Sequence, residues 1–594
     1  MKRFALSILL ALGAASATPA ADRPNILLVI TDDQGFGDLG CHGNPVIKTP
    51  NVDAFAKQST WLRNFYVSPV CSPTRSSLLT GQYNYRVGVV DTFLGRSMMR
   101  PGVKTLPEYL AAAGYRTGLF GKWHLGDNYP MRPEDRGFQQ TLWHQGGGLA
   151  QPSDPPDLDP KTAYFDPILK KNGREVKTKG YCTDVFTDAA IDFLAADRSK
   201  PFFAHVAFNA PHSPYQVADE LAAPFRKLDL SPTGFPKIGQ PWAGLKLDTD
   251  EIARAYGMIG NVDANFARLL KALDDQKLAD NTIVIFMTDN GPGGVRFNAG
   301  LRNRKGTVYE GGIRVPCYVR WPASGVQAGA VIETPLAHID WTPTLIEACG
   351  VPLPNDKPSF DGRTFLPLLT SKPGDWPART LFFQWHRGDV PEKGRAFAAR
   401  GPRYKLVQAT GVAQDAKWQP KYELFDLTDD PFEMKDLAAD KPDEVAKLKA
   451  QYDAWFADVT SNGFDPPRIV IGSEKENPVR LSRQDWRGPK AGWAADSKGH
   501  WLVTVERPGR YRVTIRSRTD FDEYAVTVSY DKSGGEFSID AGPVTPANPR
   551  QRLGSSVVTL NEGNAEFQGT LKLAGKPRGP DYIELEYIGP PEKK

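Results

Sequence analysis

Two stretches of the chain share one pattern. In NILLVITDD an unbroken apolar run, Ile26 to Ile30, leads into Asp32 and Asp33, and in NTIVIFMTDNG the run Thr282 to Met287 leads into Asp289 and Asn290. A strand that is apolar at every position, rather than at alternate ones, predicts a sheet covered on both faces. PFFAHVAF (Pro201 to Phe208) predicts another such strand, while LPEYLAAAGY (Leu106 to Tyr115) and DEIARAYGMIGNVDANFARLLKAL (Asp250 to Leu273) carry helical periodicity. Strands alternating with helices predict an α/β fold, with a mainly parallel central sheet sandwiched by helices. Ligands of such sheets bind beyond the carboxyl ends of the strands. Both acidic clusters fall there.

The texture then changes twice. From residue 364 to 464, short strands (YKLVQA, YELFDL) and the helix DEVAKLKAQYDAWFADV predict a smaller α+β lobe closing the main domain, residues 22–363. Beyond it, WLVTVERPGRYRVTIRS (Trp501 to Ser517) alternates apolar and polar positions around a Pro-Gly turn, and DYIELEYI does the same. Residues 465–594 therefore read as a separate β-sandwich-like module.

The first 21 residues carry Lys2 and Arg3, an apolar run from Phe4 to Ala15, and then small residues. That order reads as a secretory signal peptide, cleaved between Ala17 and Asp22, and implies a periplasmic or secreted protein. No later run is long enough to span a bilayer. A formal charge of +4 on 594 residues, with no long basic run, gives no reason to expect nucleic acid. Five cysteines without a CxxC spacing are too few for a disulfide scaffold, and an odd number leaves one unpaired. Cys71 is the candidate for that residue.

Asp32 and Asp33 alone would serve to cap a helix or start a turn. Three carboxylates and an amide oxygen converging at one sheet edge would instead repel one another unless a cation held them, and all-oxygen ligation suits Ca²⁺ or Mg²⁺. That reading requires the two strands to be neighbours. The stretch VCSPTRSSLLTG leaves Cys71 open as a disulfide partner, a metal thiolate, a nucleophile or the precursor of a modified residue.

Cys71, Pro73, Arg75, Thr80 and Gly81 together form C-x-P-x-R followed by T-G, which resembles the signature of the type I sulfatases of the alkaline phosphatase superfamily. The blocks PNILLVITDDQGFGDLG, GYRTGLFGKWHLG, APHSPY, TDNG and KGTVYEGGIRVP are similar to the family's, in the family's order. The resemblance covers the chain from about Arg23 to Thr460. It implies an alkaline phosphatase-like fold and hydrolysis of sulfate esters. It also implies that a formylglycine-generating enzyme oxidises Cys71 to Cα-formylglycine, whose hydrate attacks sulfur. By motif, Asp32, Asp33, Asp289 and Asn290 would hold Ca²⁺, with the residue made from Cys71 completing the shell. Arg75 would stabilise that residue, Lys122 and Lys305 would contact sulfate, His124 would remove a proton during sulfate release, and His212 would act as general acid at the leaving alcohol.

Two rivals accompany this expectation. One is a phosphonate or phosphate monoester hydrolase using the same nucleophile. The other is a noncatalytic glycan-binding protein on a degenerate scaffold. The substrate, expected to be an aryl sulfate or a sulfated carbohydrate, would be read by loops at Asp91 to Met99, His144 to Pro156, Asn209 and Phe382 to Asp389. Within these, Arg96, His144, Trp385, His386 and Arg387 are candidates for ring stacking and hydrogen bonding. Trp486, Trp493 and Trp501 of the last module could bind glycan by stacking, but aromatics in a small sandwich more often form its core. The module is expected to act as a structural cap on the catalytic domain rather than to bind glycan. Trp501 alternates in phase with Val503 and Val505, a core pattern.

Overall fold

The computed structural model describes residues 23–592, apart from 231–246, 354–358, 371–375, 415–416, 518–520, 522, 531–535, 541–544 and 549–550. The segment read as a signal peptide, residues 1–21, lies outside the described residues. The main unit is built on a ten-stranded sheet. In chain order its strands are β1 (Asn25–Thr31), β2 (Thr60–Leu62), β3 (Arg116–Lys122), β4 (Gln140–His144), β5 (Ile168–Lys171), β6 (Arg174–Lys177), β7 (Phe202–Ala207), β8 (Thr282–Thr288), β9 (Cys317–Arg320) and β10 (Val331–Ile332). Across the sheet they run β10-β2-β9-β8-β1-β7-β3-β4-β5-β6. The central five, β8-β1-β7-β3-β4, are all parallel, and antiparallel strands border them on both sides.

The wholly apolar strands have a direct cause. Along β1, Ile26, Leu28 and Ile30 enter the core on one face of the sheet, while Leu27 and Val29 enter the core on the other. The helices that matter for the site are α1 (Cys71–Thr80), α2 (Leu106–Ala112), α3 (Cys182–Ala195) and α4 (Thr249–Asp275). Helix α2 stops short of the expected Tyr115 because Gly114 turns left-handed at φ +89°. Helix α4 starts one residue before the expected Asp250, its first N–H groups capped by the Asp248 carboxylate.

A four-stranded antiparallel sheet, β11 (Leu381–Gln384), β12 (Phe397–Arg400), β13 (Tyr404–Gln408) and β14 (Tyr422–Asp426), follows with helix α5 (Pro442–Val459). Its core is shared with Tyr66, Tyr83, Tyr85, Val308 and Ile313 of the main unit. The buried Lys405 ammonium lies 2.9 Å from Glu310 and 2.8 Å from Glu433, tying this sheet to the segment that follows Lys305.

The last part of the chain forms a six-stranded and a five-stranded sheet around one core. The strands His500–Val505 and Gly509–Ser517 flank the Pro-Gly turn but do not pair with each other. The first joins the sheet of Gly563–Leu573 and the second the sheet of Tyr582–Gly589, so the turn carries the chain from one layer to the other. Trp486 and Trp501 are fully buried there. The same core takes in Leu94, Met98 and Met131 of the main unit.

Candidate active site

The registers of β1, β7, β3 and β8 decide what meets at the sheet's carboxyl edge. Thr31, the last residue of β1, is level with Thr288, the last of β8. Asp32 and Asp33 therefore emerge beside Asp289 and Asn290. Strand β7 delivers Asn209 and His212, and β3 ends at Lys122 with His124 just beyond. Cys71 opens α1, whose ten residues are all buried and which ends on Gly81 in the left-handed conformation. The helix thus presents its electropositive N-terminus at Cys71. Asp33 and His124 both adopt φ +63°, a conformation that costs a non-glycine residue about 1–3 kcal/mol and that collects at functional sites.

The charged groups form one buried network. Lys122 Nζ lies 2.5 Å from Asp32 Oδ2, and Lys305 Nζ 2.6 Å from Asp33 Oδ1. Arg75 donates through Nε and Nη2 to Asp289 Oδ2, at 3.1 and 2.8 Å. The other Asp289 oxygen accepts the Asp33 backbone N–H at 3.1 Å, and Asn290 Nδ2 donates to Asp33 Oδ1 at 2.8 Å. Burial alone would raise the Asp33 carboxyl, but Lys305, then His212 and Lys122, outweigh it and hold it well below the usual carboxylate range. Asp289 moves the other way, up to about 6, because burial is reinforced by the Asp32 charge.

These residues fit a hard divalent cation. Asp32 Oδ1 and Asn290 Oδ1 are buried oxygens without a hydrogen-bond partner among the described residues. Ligand atoms of Asp32, Cys71 and Asp289 all lie within 4.8 Å of one another, as do those of Asp32, Asp33 and His212. Oxygen donors of this number and charge suit Ca²⁺ or Mg²⁺.

The histidines are oriented by backbone carbonyls. His124 Nε2 meets Thr92 O at 2.7 Å, leaving Nδ1 buried and unpartnered. Burial, then the Lys122 charge, keeps His124 neutral well below its ordinary range. His212 Nδ1 meets Ser213 O at 2.5 Å, and its Nε2 lies 3.8 Å from Asp33 Oδ2. Burial takes its pKa down to about 3 against the pull of Asp33. Glycines make room for both rings: a Cβ at Gly147 would lie 2.6 Å from His124 Cε1, and one at Gly148 would lie 3.0 Å from His212 Nδ1. Burial pushes the Cys71 thiol up, against Lys122 and Lys305.

Cys71, His124, His212 and Lys305 open into one cavity of about 460 Å³, lined also by Thr92, Phe93, Gln151, Trp385, Arg387 and Trp493. Of the loop candidates, Trp385 and Arg387 reach it. Arg96 is instead engaged by Asp389, and buried His386 is held between Arg387 O and the Glu392 N–H. His144 packs its ring near Phe186, and Asn209 donates to the Tyr164 hydroxyl. Two residues escaped the sequence reading. Arg304 lines the cavity beside Lys305. Gln484, from the last module, donates to the Thr92 carbonyl that orients His124, at 2.9 Å; a glutamine in a separate module carries no sequence signal for that contact.

The family model described as Sulfatase matches residues 24–351, more than half of the chain. The chain belongs to the sulfatase family. A second model, the C-terminal part of N-sulphoglucosamine sulphohydrolase, matches residues 302–458. Bovine (Bos taurus) arylsulfatase A is 33% identical over 527 residues, which is 79% of this chain and 94% of the relative. Human (Homo sapiens) N-acetylgalactosamine-6-sulfatase is 32% identical over 63% of this chain and 70% of its own length. The crystal structure of Ps i-CgsB in complex with k-i-k-neocarrahexaose is 28% identical with a TM-score of 0.63, covering 75% of this chain and 95% of that one. This sulfatase is thus a sulfuric ester hydrolase, which removes the noncatalytic reading, and among its described residues no helix is long and apolar enough to cross a membrane.

Proposed function

We propose that this protein is an exported sulfatase that hydrolyses a sulfate ester of a carbohydrate, with Cys71 converted to formylglycine and a Ca²⁺ held by Asp32, Asp33, Asp289 and Asn290. The observation that carries the reading is Cys71 itself. It lies at the floor of the cavity, opens a buried helix, and has its side-chain atom within 4.8 Å of carboxylate oxygens of Asp32 and Asp289, inside the C-x-P-x-R motif. Conversion would supply a hydrated aldehyde as nucleophile, and a cation held by Asp32, Asp33, Asp289 and Asn290 would supply Lewis-acid charge.

The chain's own residues do the rest. Arg75, whose Nε and Nη2 hold Asp289 and whose Nη1 donates to the Lys122 carbonyl at 3.3 Å, sets a fixed positive charge that acts on position 71. Lys122 and Lys305, drawn here to Asp32 and Asp33, supply charge for an incoming sulfate and for the oxygen that becomes negative as the ester bond breaks. His124 is neutral with Nδ1 free, which suits a base that removes a proton during sulfate release. His212 lies on the cavity wall and donates a proton to the departing alcohol. The anionic substrate favours its protonated form, against the burial that disfavours it. Arg75, Lys122 and Lys305 give the pocket affinity for free sulfate as well.

The phosphonate or phosphate reading differs in preferred anion. Mass spectrometry of the tryptic peptide Asn64 to Arg75 is expected to reveal the aldehyde, and the converted enzyme to release sulfate from 4-nitrophenyl sulfate or from sulfated sugars faster than phosphate from 4-nitrophenyl phosphate. A fully converted protein inactive on every sulfate ester, or one preferring the phosphate, overturns the proposal. The N-terminal residue of the exported protein, expected between Thr18 and Asp22, tests the signal peptide.

A further inference from the structure

The cavity wall facing away from Cys71 is not made by the sulfatase unit alone. Both matching family models end by residue 458, yet Trp493, from the β-sheet module beyond, lines the same cavity as Cys71, His124 and His212. Cys71 is 2% exposed and Trp493 40%, so the cysteine is the floor and the tryptophan the mouth. Trp493 is also the most exposed tryptophan among the described residues.

The other aromatic groups of the mouth already have partners. Asp91, fully buried, accepts from Trp385 Nε1 at 2.9 Å and from Arg387 Nη1 at 2.7 Å. The Arg387 guanidinium lies 4.6 Å from the Phe93 ring centroid and 4.8 Å from that of Trp385. Among the described residues, Trp493 stacks with no ring but Phe93, T-shaped at 5.3 Å, which leaves its indole face open to a ligand. An exposed indole above a cavity otherwise edged by Gln151, Thr92, Arg304 and Arg387 combines an apolar platform with convergent hydrogen-bonding groups. That combination suits a pyranose, which has an apolar C–H face and a polar rim.

The position of Trp493 is secured by the chain around it. Gly95 N–H donates to Gln484 O at 2.8 Å, Gln484 Nε2 donates to Thr92 O, and Arg487 Nη2 donates to Gly95 O. The loop carrying Thr92 and Phe93 and the module segment carrying Trp493 are therefore one bonded unit.

We propose that Trp493 is a substrate-binding residue that stacks on the sugar ring of a sulfated saccharide, making the C-terminal module part of the recognition site. This rests on the sulfatase reading for its ligand, but its test does not depend on turnover. In the full-length Cys71→Ala protein, which cannot be converted, calorimetry measures binding of galactose, N-acetylgalactosamine and glucosamine monosulfates covering each ring position, with inorganic sulfate as the probe of the floor alone. At least one saccharide is expected to bind more tightly than sulfate. Adding Trp493→Ala weakens that saccharide about tenfold and leaves sulfate within about twofold, while Trp493→Phe recovers most of the loss. Because the side chain is exposed, the melting temperature stays close to that of the parent, which separates lost stacking from lost fold. Saccharide affinity unchanged by Trp493→Ala, equal losses for saccharide and sulfate, or no saccharide bound more tightly than sulfate each overturn the proposal. Failure of the sulfatase reading registers separately, as absence of sulfate release by the converted enzyme.

Discussion

Removing residues 465–594 is the perturbation whose outcome the structure specifies best. The module covers Leu94, Met98 and Met131, which are 7%, 2% and 0% exposed in the intact chain. Each such side chain contributes about 1.5–3 kcal/mol when fully buried, so uncovering all three costs the remaining chain up to about 9 kcal/mol. That is comparable with the whole stability of an ordinary domain, about 5–15 kcal/mol. Polar ties go as well: Tyr129 N–H loses Glu476 at 2.7 Å, Tyr129 O loses the Val470 N–H at 3.0 Å, and Thr92 O loses Gln484. The last of these frees the carbonyl that orients His124. A chain stopped at residue 464 is therefore expected to appear mainly in the insoluble fraction. Any soluble part is expected to melt well below the full chain and to hydrolyse 4-nitrophenyl sulfate at least about tenfold more slowly, since misplacing a catalytic group by about 1 Å costs on the order of 100-fold. Size-exclusion chromatography, thermal melting and kcat/KM on that small ester measure all three. A truncated protein that is monomeric, melts within about 3 °C of the parent and keeps kcat/KM within about threefold would show that the module is dispensable, and the reasoning would be wrong.

Two substitutions probe the site and its support. Gly147→Ala puts a Cβ 2.6 Å from His124 Cε1 and 2.7 Å from its Nε2, so kcat should fall about 10- to 100-fold with little change in melting temperature; Gly260→Ala, inside helix α4 where a Cβ meets nothing within 4 Å, is the control that should leave kcat unchanged and raise the melting temperature slightly. Lys405→Met leaves Glu310 and Glu433 buried without their shared ammonium and should cost about 3–5 kcal/mol in denaturant unfolding; a loss under about 1 kcal/mol would mean the two carboxylates find other partners.

Much of the molecule was legible in one dimension because its cause is local. The apolar runs at Ile26 to Ile30 and Thr282 to Met287 mark strands covered on both faces, since alternate residues feed two cores. The acids that follow them stand at the carboxyl edge because the strands end there. Trp501 alternates with Val503 and Val505 because it lies in a sheet with one buried face, and all three are fully buried. Cys71, Pro73 and Arg75 are legible as a motif because the signature is a short contiguous segment.

What remained was decided by contacts between segments far apart in sequence. That Asp32 stands beside Asp289 depends on β1 pairing with β8 in register, a property of two strands together and of neither alone. Alternation around the Pro-Gly turn at Glu506 to Gly509 reports only that each flanking strand has a buried face. Which sheet each strand joins is set by the packing of the two layers. Arg96 and His386 looked like substrate contacts because they lie in the right loops, but Asp389 and the backbone near Glu392 engage them. The position of Trp493 over the cavity, and of Gln484 beneath the loop that orients His124, follows only from docking the module on Leu94, Met98 and Met131. The amino-acid sequence by itself determined the fold class and named the candidate reactive groups, because periodicity and a contiguous motif are properties of single segments. Tertiary structure alone decided which of those groups meet, because that depends on strand register and on how two hydrophobic surfaces pack.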